Sequence, residues 1–245
     1  MSQIKERPIL FSAPMVRAIL EDRKTITRRA IKVQPHIDAS GNFCVGRSNY
    51  GQDGYGRPVT KHFINGYCPY GKPGDRLWVR EAWRADAQLD SVAPRELSPG
   101  EPILYPADGA VRQTGCAMIT PGKPRPSIHM PRSVSRILLE ITAVRVERLQ
   151  DISDEQAQAE GCFFTDYGRK CGHGGKGWTD VGSCPAPEAH HPQRDGWMWD
   201  KTTSSSQCLG APRWAFANLW NSVNGPDAWD ANVWVWVVEF KRVTP

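Results

Sequence analysis

Ile19-Leu20-Glu21-Asp22-Arg23-Lys24-Thr25-Ile26-Thr27-Arg28-Arg29 is the stretch on which the reading of this chain turns. Ahead of it and into it, Ala13 to Asp22 has helical spacing, with Pro14 near the start and Met15, Ile19 and Leu20 on one face. From Arg23 to Arg29, basic and β-branched residues alternate, which suits a strand or its approach. A short strand, Pro8 to Ser12, precedes the helix. The stretch therefore predicts strand, helix and basic strand in succession.

Outward from that unit, three segments predict further strands: Asp75 to Trp83, the long alternating run Ser135 to Leu149, and Trp234 to Val243. Ser153-Asp-Glu-Gln156 is a capping-box pattern, which predicts a helix running to about Glu160 and stopping at Gly161. Ala211 to Val223 predicts an amphipathic helix with Trp214, Leu219 and Trp220 facing inward. Between these lie a glycine- and tyrosine-rich loop at 33–73, a proline-rich excursion at 85–131, and an insertion at 162–210 rich in Gly, Cys, His and Trp. Strands scattered over the whole chain predict an α+β fold. The expectation is one domain over residues 1–245, a small β-barrel with flanking short helices and large loop insertions.

Composition sets the limits. Hydrophobic residues make up 40% of the 245, enough for a core, while 22 glycines and 20 prolines mark a loop-rich protein. The longest apolar run, Val233 to Val238, falls far short of the ~20 residues of a spanning helix. Pro8 to Met15 is too short and interrupted for a secretory h-region, so a cytoplasmic location is expected. Seven cysteines are an odd number, which favours free thiols or metal ligands over a disulfide framework. Residues 1–150 carry a net charge of +9 and residues 151–245 a net charge of −4. Such a basic half suits a polyanionic partner, and equally an evenly solvated surface.

Three groups of residues bear on chemistry. Lys24-x-x-Thr27 pairs a potential base with a hydroxyl nucleophile; the lysine needs burial or neighbouring cations such as Arg23, Arg28 and Arg29 to act as a base. The alternative is a solvated basic strand edge that touches phosphates. Glu160, at the C-terminal end of its predicted helix, sits where the macrodipole disfavours an acid, which points to a cationic partner such as Lys24. In the 162–210 insertion, Cys171-x-His173 with Cys184 and one of His190, His191 or Cys208 offers a four-ligand set for structural zinc, without any Cys-x-x-Cys pair. Trp178, Trp197 and Trp199, interleaved with Arg169, Lys170, Lys176 and Arg194, either stack on bases or pin the loop to the surface.

The segment Ile19–Arg29 resembles the signature of the ASCH domain, a PUA-like β-barrel. Gly74-Asp75-Arg76-Leu77-Trp78-Val79, Leu149 to Glu160 and Trp236-Val-Val-Glu239-Phe240-Lys241 resemble the family's glycine-aspartate strand, central helix and closing strand, in that order. The whole is similar to the larger ASCH proteins of phages and prophages. Within the family, the small bacterial N4-acetylcytidine amidohydrolases use a lysine, a threonine and a glutamate, and the resemblance implies these roles for Lys24, Thr27 and Glu160. The family's arginine two residues after its threonine falls on Arg29; Arg23, Arg28 and Arg29 are the expected substrate-binding residues, with the pocket between Lys24–Arg29 and the end of the Glu160 helix. The implied function is removal of an acyl group from the exocyclic amine of a modified base or nucleoside, with no required cofactor. A non-catalytic RNA or modified-base binder is the other implied function, and a ribonuclease a third. This chain is more than twice the length of the minimal enzymes, and its insertions match none of their segments.

Overall fold

The computed structural model describes residues 4–113, 115–175, 177 and 179–244. Lys176 and Trp178, both part of the proposed stacking surface, lie outside the described residues. In chain order the elements are β1 (Glu6–Leu10), α1 (Ala13–Leu20), β2 (Ile26–Ala30), β3 (Pro35–Ile37), β4 (Phe43–Val45), β5 (Ser48–Asn49), α2 (Lys61–Tyr67), β6 (Arg76–Arg80), β7 (Ile103–Tyr105), β8 (Ala110–Arg112) and β9 (Leu138–Arg148). Then follow α3 (Asp154–Ala159), β10 (Phe163–Cys171), β11 (Thr179–Asp180), β12 (Gln193–Met198), α4 (Pro212–Asn224) and β13 (Trp234–Val243). The protein is a mixed α+β chain, mostly strands with few helices. It divides into two compact units: the residues up to Asp151 with those from Asn232 onward, and Ile152–Ala231.

The first unit is built on a five-stranded sheet in the order β1-β6-β9-β13-β2. β13 pairs antiparallel with both β9 and β2, and its residues Trp234 to Val238 are all buried. That explains its continuous apolar run: the strand is covered on both faces. Pro8 is tolerated in β1 because β1 is an edge strand, parallel to β6 alone. The interior is one apolar mass in two parts. Ile9, Phe11, Val16, Ile19, Leu139 and Phe240 pack under α1. Phe43, Phe63, Trp234 and Trp236 pack under α2, and Tyr70 and Val144 touch both parts.

Among the described residues no backbone ladder joins β1 to β2, so the expected barrel is an open sheet here. Side chains fill the opening instead. Arg29 Nη2 donates to the Leu10 carbonyl at 2.5 Å, and the Phe11 ring lies beneath the Arg29 guanidinium.

Gly74-Asp75 owes its place to Asp75, 4% exposed, which accepts hydrogen bonds from the amides of Lys5 and Lys72 and from Arg7 Nη1 at 3.0–3.2 Å. A Cβ on Gly71 would lie 2.6 Å from Arg7 Nη1, so the turn needs glycine there. Burial works to raise the Asp75 pKa, and the two amides with Arg7 outweigh it, holding the carboxyl below its ordinary value. Its stabilisation is therefore complete above the ordinary aspartate pKa of about 3.9 and is lost as pH falls through the lower folded value. Asp75→Asn is expected to cost about 2 kcal/mol at pH 7. In urea unfolding, that difference should shrink as pH falls below about 3.9; a constant difference would refute the assignment.

The segments read as loops at 33–73 and 85–131 hold structure of their own. The first contains the β3-β4-β5 meander and α2, with Phe43, Tyr50, Phe63 and Tyr67 in mutual ring contact. In the second, β7 and β8 form a hairpin beside a separate core of Trp83, Ile103, Tyr105, Met130 and Val134. Arg125 lies over the Trp83 ring and donates to the carbonyls of Leu89 and Val92, closing backbone that has no ladder.

In the second unit the capping box forms as its residues predict: Ser153 Oγ accepts from the Gln156 amide and Gln156 Oε1 from the Ser153 amide. The helix stops at Glu160, and Gly161 takes a positive φ of 107°. α4 buries Ala215, Phe216, Leu219 and Trp220. Trp214 is 55% exposed, not inward as expected, because the buried stripe runs 212, 215–216, 219–220 and position 214 falls outside it. β11-β10-β12 form a small sheet. No described helix is long and apolar enough to cross a membrane.

Candidate functional site

α1 ends in a Schellman turn. The amide of Arg23 bonds the Ala18 carbonyl and that of Asp22 bonds the Ile19 carbonyl, with Asp22 in the left-handed region at φ 56°. Asp22 also meets Arg242 at 3.3 Å, an exposed pair worth little. Asp22→Gly is therefore expected to raise stability by about 0.5–1 kcal/mol, since glycine enters this region without a Cβ penalty. A thermal midpoint at or below the wild type would contradict this.

The turn delivers the chain to Lys24, whose amide also bonds the Ala18 carbonyl, and then to β2. Lys24 and Thr27 are each 2% exposed. Lys24 Nζ lies 5.7 Å from the centre of the Phe11 ring and the Arg29 guanidinium 5.1 Å from it, so one aromatic ring supports both cations. Strand alternation puts Thr27, opposite Val238, on the same face as Arg29, opposite Trp236. The structure thus gathers Lys24, Thr27 and Arg29 along the opening between β1 and β2.

The other two expected substrate-binding arginines are turned elsewhere. Arg28, buried and on the opposite face, pairs with Glu147 at 3.2 Å. Glu147 also takes Arg145, which reaches Glu239, so Arg28 belongs to a charged network on β2, β9 and β13. Arg23 is folded back onto Glu21, its Nε 2.8 Å from the carboxylate. Glu160 lies in the second unit as the C-cap residue of α3, 3% exposed, its amide bonded to the Gln156 carbonyl.

A cavity of about 420 Å³ opens within the first unit, lined by Ala30 but not by Lys24, Thr27 or Arg29. Its walls include Ile31, Tyr50, Phe63, Tyr67, Tyr70 and Trp236, with Lys32 and Ser48 among its few other polar groups. Phe63 and Trp236 stack at 4.9 Å between centroids. Burial pushes the Tyr70 hydroxyl up, and the charge of Arg29 acts on it in the opposite sense, which links cavity and cation. Sequence reading missed this pocket because it treated 33–73 as loop; the signal present was Phe63-x-x-x-Tyr67, an i,i+4 aromatic pair on a helix.

In the second unit Cys171, His173, Cys184 and His191 bring one ligand atom each within 4.8 Å of one another, a cluster that can hold a metal ion. Three are the residues singled out from sequence, and the fourth is His191, one of the three alternatives for that place. Cys162 and Cys208 form no disulfide and lie outside this cluster. The chain was compared with protein-family models, with curated proteins and with solved structures, and none of the three comparisons gives a match.

Proposed function

We propose that this chain is an amidohydrolase that removes an acyl group from the exocyclic amine of a modified base or nucleoside such as N4-acetylcytidine. The proposed frame is a PUA-like, ASCH-type one. The observation that carries the reading is a buried lysine and threonine by the opening between two edge strands, with an aromatic cavity lined from the next residues of the same strand, Ala30 onward. Aromatic walls suit a nucleobase, which presents a flat face for stacking and little charge.

In the proposed reaction Lys24 acts as the base and takes the proton of Thr27 Oγ1. The oxygen attacks the amide carbonyl, and Arg29 stabilises the oxyanion. Collapse breaks the C–N bond; the departing amine takes a proton, for which Glu160 is the proposed donor, and water then releases the acyl group from Thr27. A variant of the mechanism has Lys24 and Glu160 activate water directly. No cofactor enters either route; zinc belongs in this proposal only as a structural ion of the second unit.

Chromatography of N4-acetylcytidine after incubation with the protein tests the reading: cytidine should appear with the wild type and not with Lys24→Ala. The same cavity also suits a non-catalytic binder of RNA or of a modified base. In that case no cytidine forms, and binding carried by phosphates weakens steeply with salt.

A further inference from the structure

We infer that Cys171, His173, Cys184 and His191 form a closed, tetrahedral zinc site that serves as the core of the β10–β12 excursion. The geometry is close to that of an assembled site. His173 Nδ1 lies 3.6 Å from Cys171 Sγ and 3.4 Å from Cys184 Sγ. With Zn–S near 2.3 Å and Zn–N near 2.05 Å, the sulfur–nitrogen edge of a tetrahedron comes to about 3.6 Å. The two imidazoles stand 5.2 Å apart at 70°, so both can direct a nitrogen inward without stacking.

His191 supplies an independent observation. It is 0% exposed, and neither ring nitrogen has a hydrogen-bond partner. Buried polar atoms almost always find partners, and leaving an imidazole without one is costly. A metal ligated by one of its nitrogens removes much of that deficit.

Packing points the same way. Among the residues from Gly172 to Asp195 whose burial is described, His191 is the sole buried one; the others so described are exposed or half-exposed. A stretch of this length with no apolar interior needs another source of order, and a bound ion supplies it. The backbone brings the ligands from both sides. Cys171 ends β10, opposite Thr179 of β11, and Cys184 follows the turn after β11, its amide on the Val181 carbonyl. His191 leads into β12, its carbonyl taken by Arg169 Nη1 of β10 at 2.7 Å. Two thiolates with two imidazoles suit zinc in donor softness and in charge, and four protein ligands leave no open position for catalysis.

The test is metal content of the full chain, purified without chelator or added metal. About one zinc per chain is expected, falling to roughly a tenth or less in Cys184→Ser and in His191→Ala, with Cys208→Ser unchanged. Should the ligand variants fail to fold, cobalt(II) loading of chelator-treated wild type decides. Intense visible bands with thiolate charge transfer mark a tetrahedral sulfur-ligated ion, and a pale six-coordinate spectrum overturns the site. Wild type that neither holds zinc nor takes up cobalt overturns it as well, as does Cys184→Ser that keeps a full equivalent. The readout is metal, so its failure leaves the proposed deacylation standing, and absence of turnover leaves the zinc site standing.

Discussion

Lys24→Met is expected to abolish deacylation while leaving the fold in place. Methionine fills nearly the volume of the lysine stem and keeps its apolar packing on Phe11, 5.7 Å from the amine it replaces. What it lacks is the base. General-base assistance is commonly worth ~10²–10⁴-fold, so kcat/KM on N4-acetylcytidine should fall by about 10³-fold or more. Circular dichroism and the unfolding midpoint supply the folding control. Thr27 then separates the two routes. In the covalent mechanism Thr27→Ser retains a measurable rate and Thr27→Ala matches Lys24→Met. A Thr27→Ala protein that keeps most of its activity assigns the attack to water. If Lys24→Met turns over substrate like the wild type, Lys24 has no part in the chemistry.

The largest effect on stability is expected from Arg136→Ala. Glu81 is 1% exposed and takes two hydrogen bonds from Arg136, at 2.8 and 2.9 Å. Arg136 also binds Asp108 at 2.9 and 3.0 Å and lies 4.0 Å from the centre of the Tyr105 ring. Burial already pushes the Glu81 pKa up, against the pull of Arg136. Removing the arginine strands a buried acid, and about 3 kcal/mol should be lost at pH 7. The sign with pH follows from the raised folded value: Glu81 in the variant binds its proton more readily folded than unfolded, so the deficit should shrink as pH falls toward 4–5 and grow above it. A Glu81→Leu, Arg136→Met pair replaces both charges with apolar groups and should recover most of the loss. Equal losses in the single and double variants would show that packing, not charge, is at stake.

Local signals in the sequence were legible where the decisive interaction is itself local. The capping box at Ser153 and Gln156 closes within four residues, and β13 announces itself by a run of apolar residues that only a doubly covered strand needs. Pairings distant along the chain were not. That β1 pairs with β6 and β2 with β13 joins residues about 70 and 200 positions apart, and neither strand's own pattern says so. Site residues divide the same way. Lys24, Thr27 and Arg29 sit together because a turn and a strand place them, whereas Arg28 is one position out of phase and so faces Glu147. The metal cluster was readable as a set of alternatives; the choice of His191 over His190 is made by burial, since His190 is exposed and His191 is not. The aromatic pocket was invisible because its walls come from a segment whose helix is only Lys61–Tyr67.

Where the chain leaves the first unit and returns, the two crossings are already tied together. The Leu149 amide meets the Val233 carbonyl at 2.9 Å, the Gln150 amide meets Asn232 Oδ1 at 2.9 Å, and Arg148 Nη1 meets the Asn232 carbonyl at 3.1 Å. The stretch Ile152 to Ala231 therefore leaves the sheet and rejoins it at one clasp, at the end of the β9–β13 ladder. Once the clasp is made, lengthening the intervening segment adds only logarithmically to its closure entropy. The loops of such a segment can lengthen or shorten without a single residue of the sheet changing register.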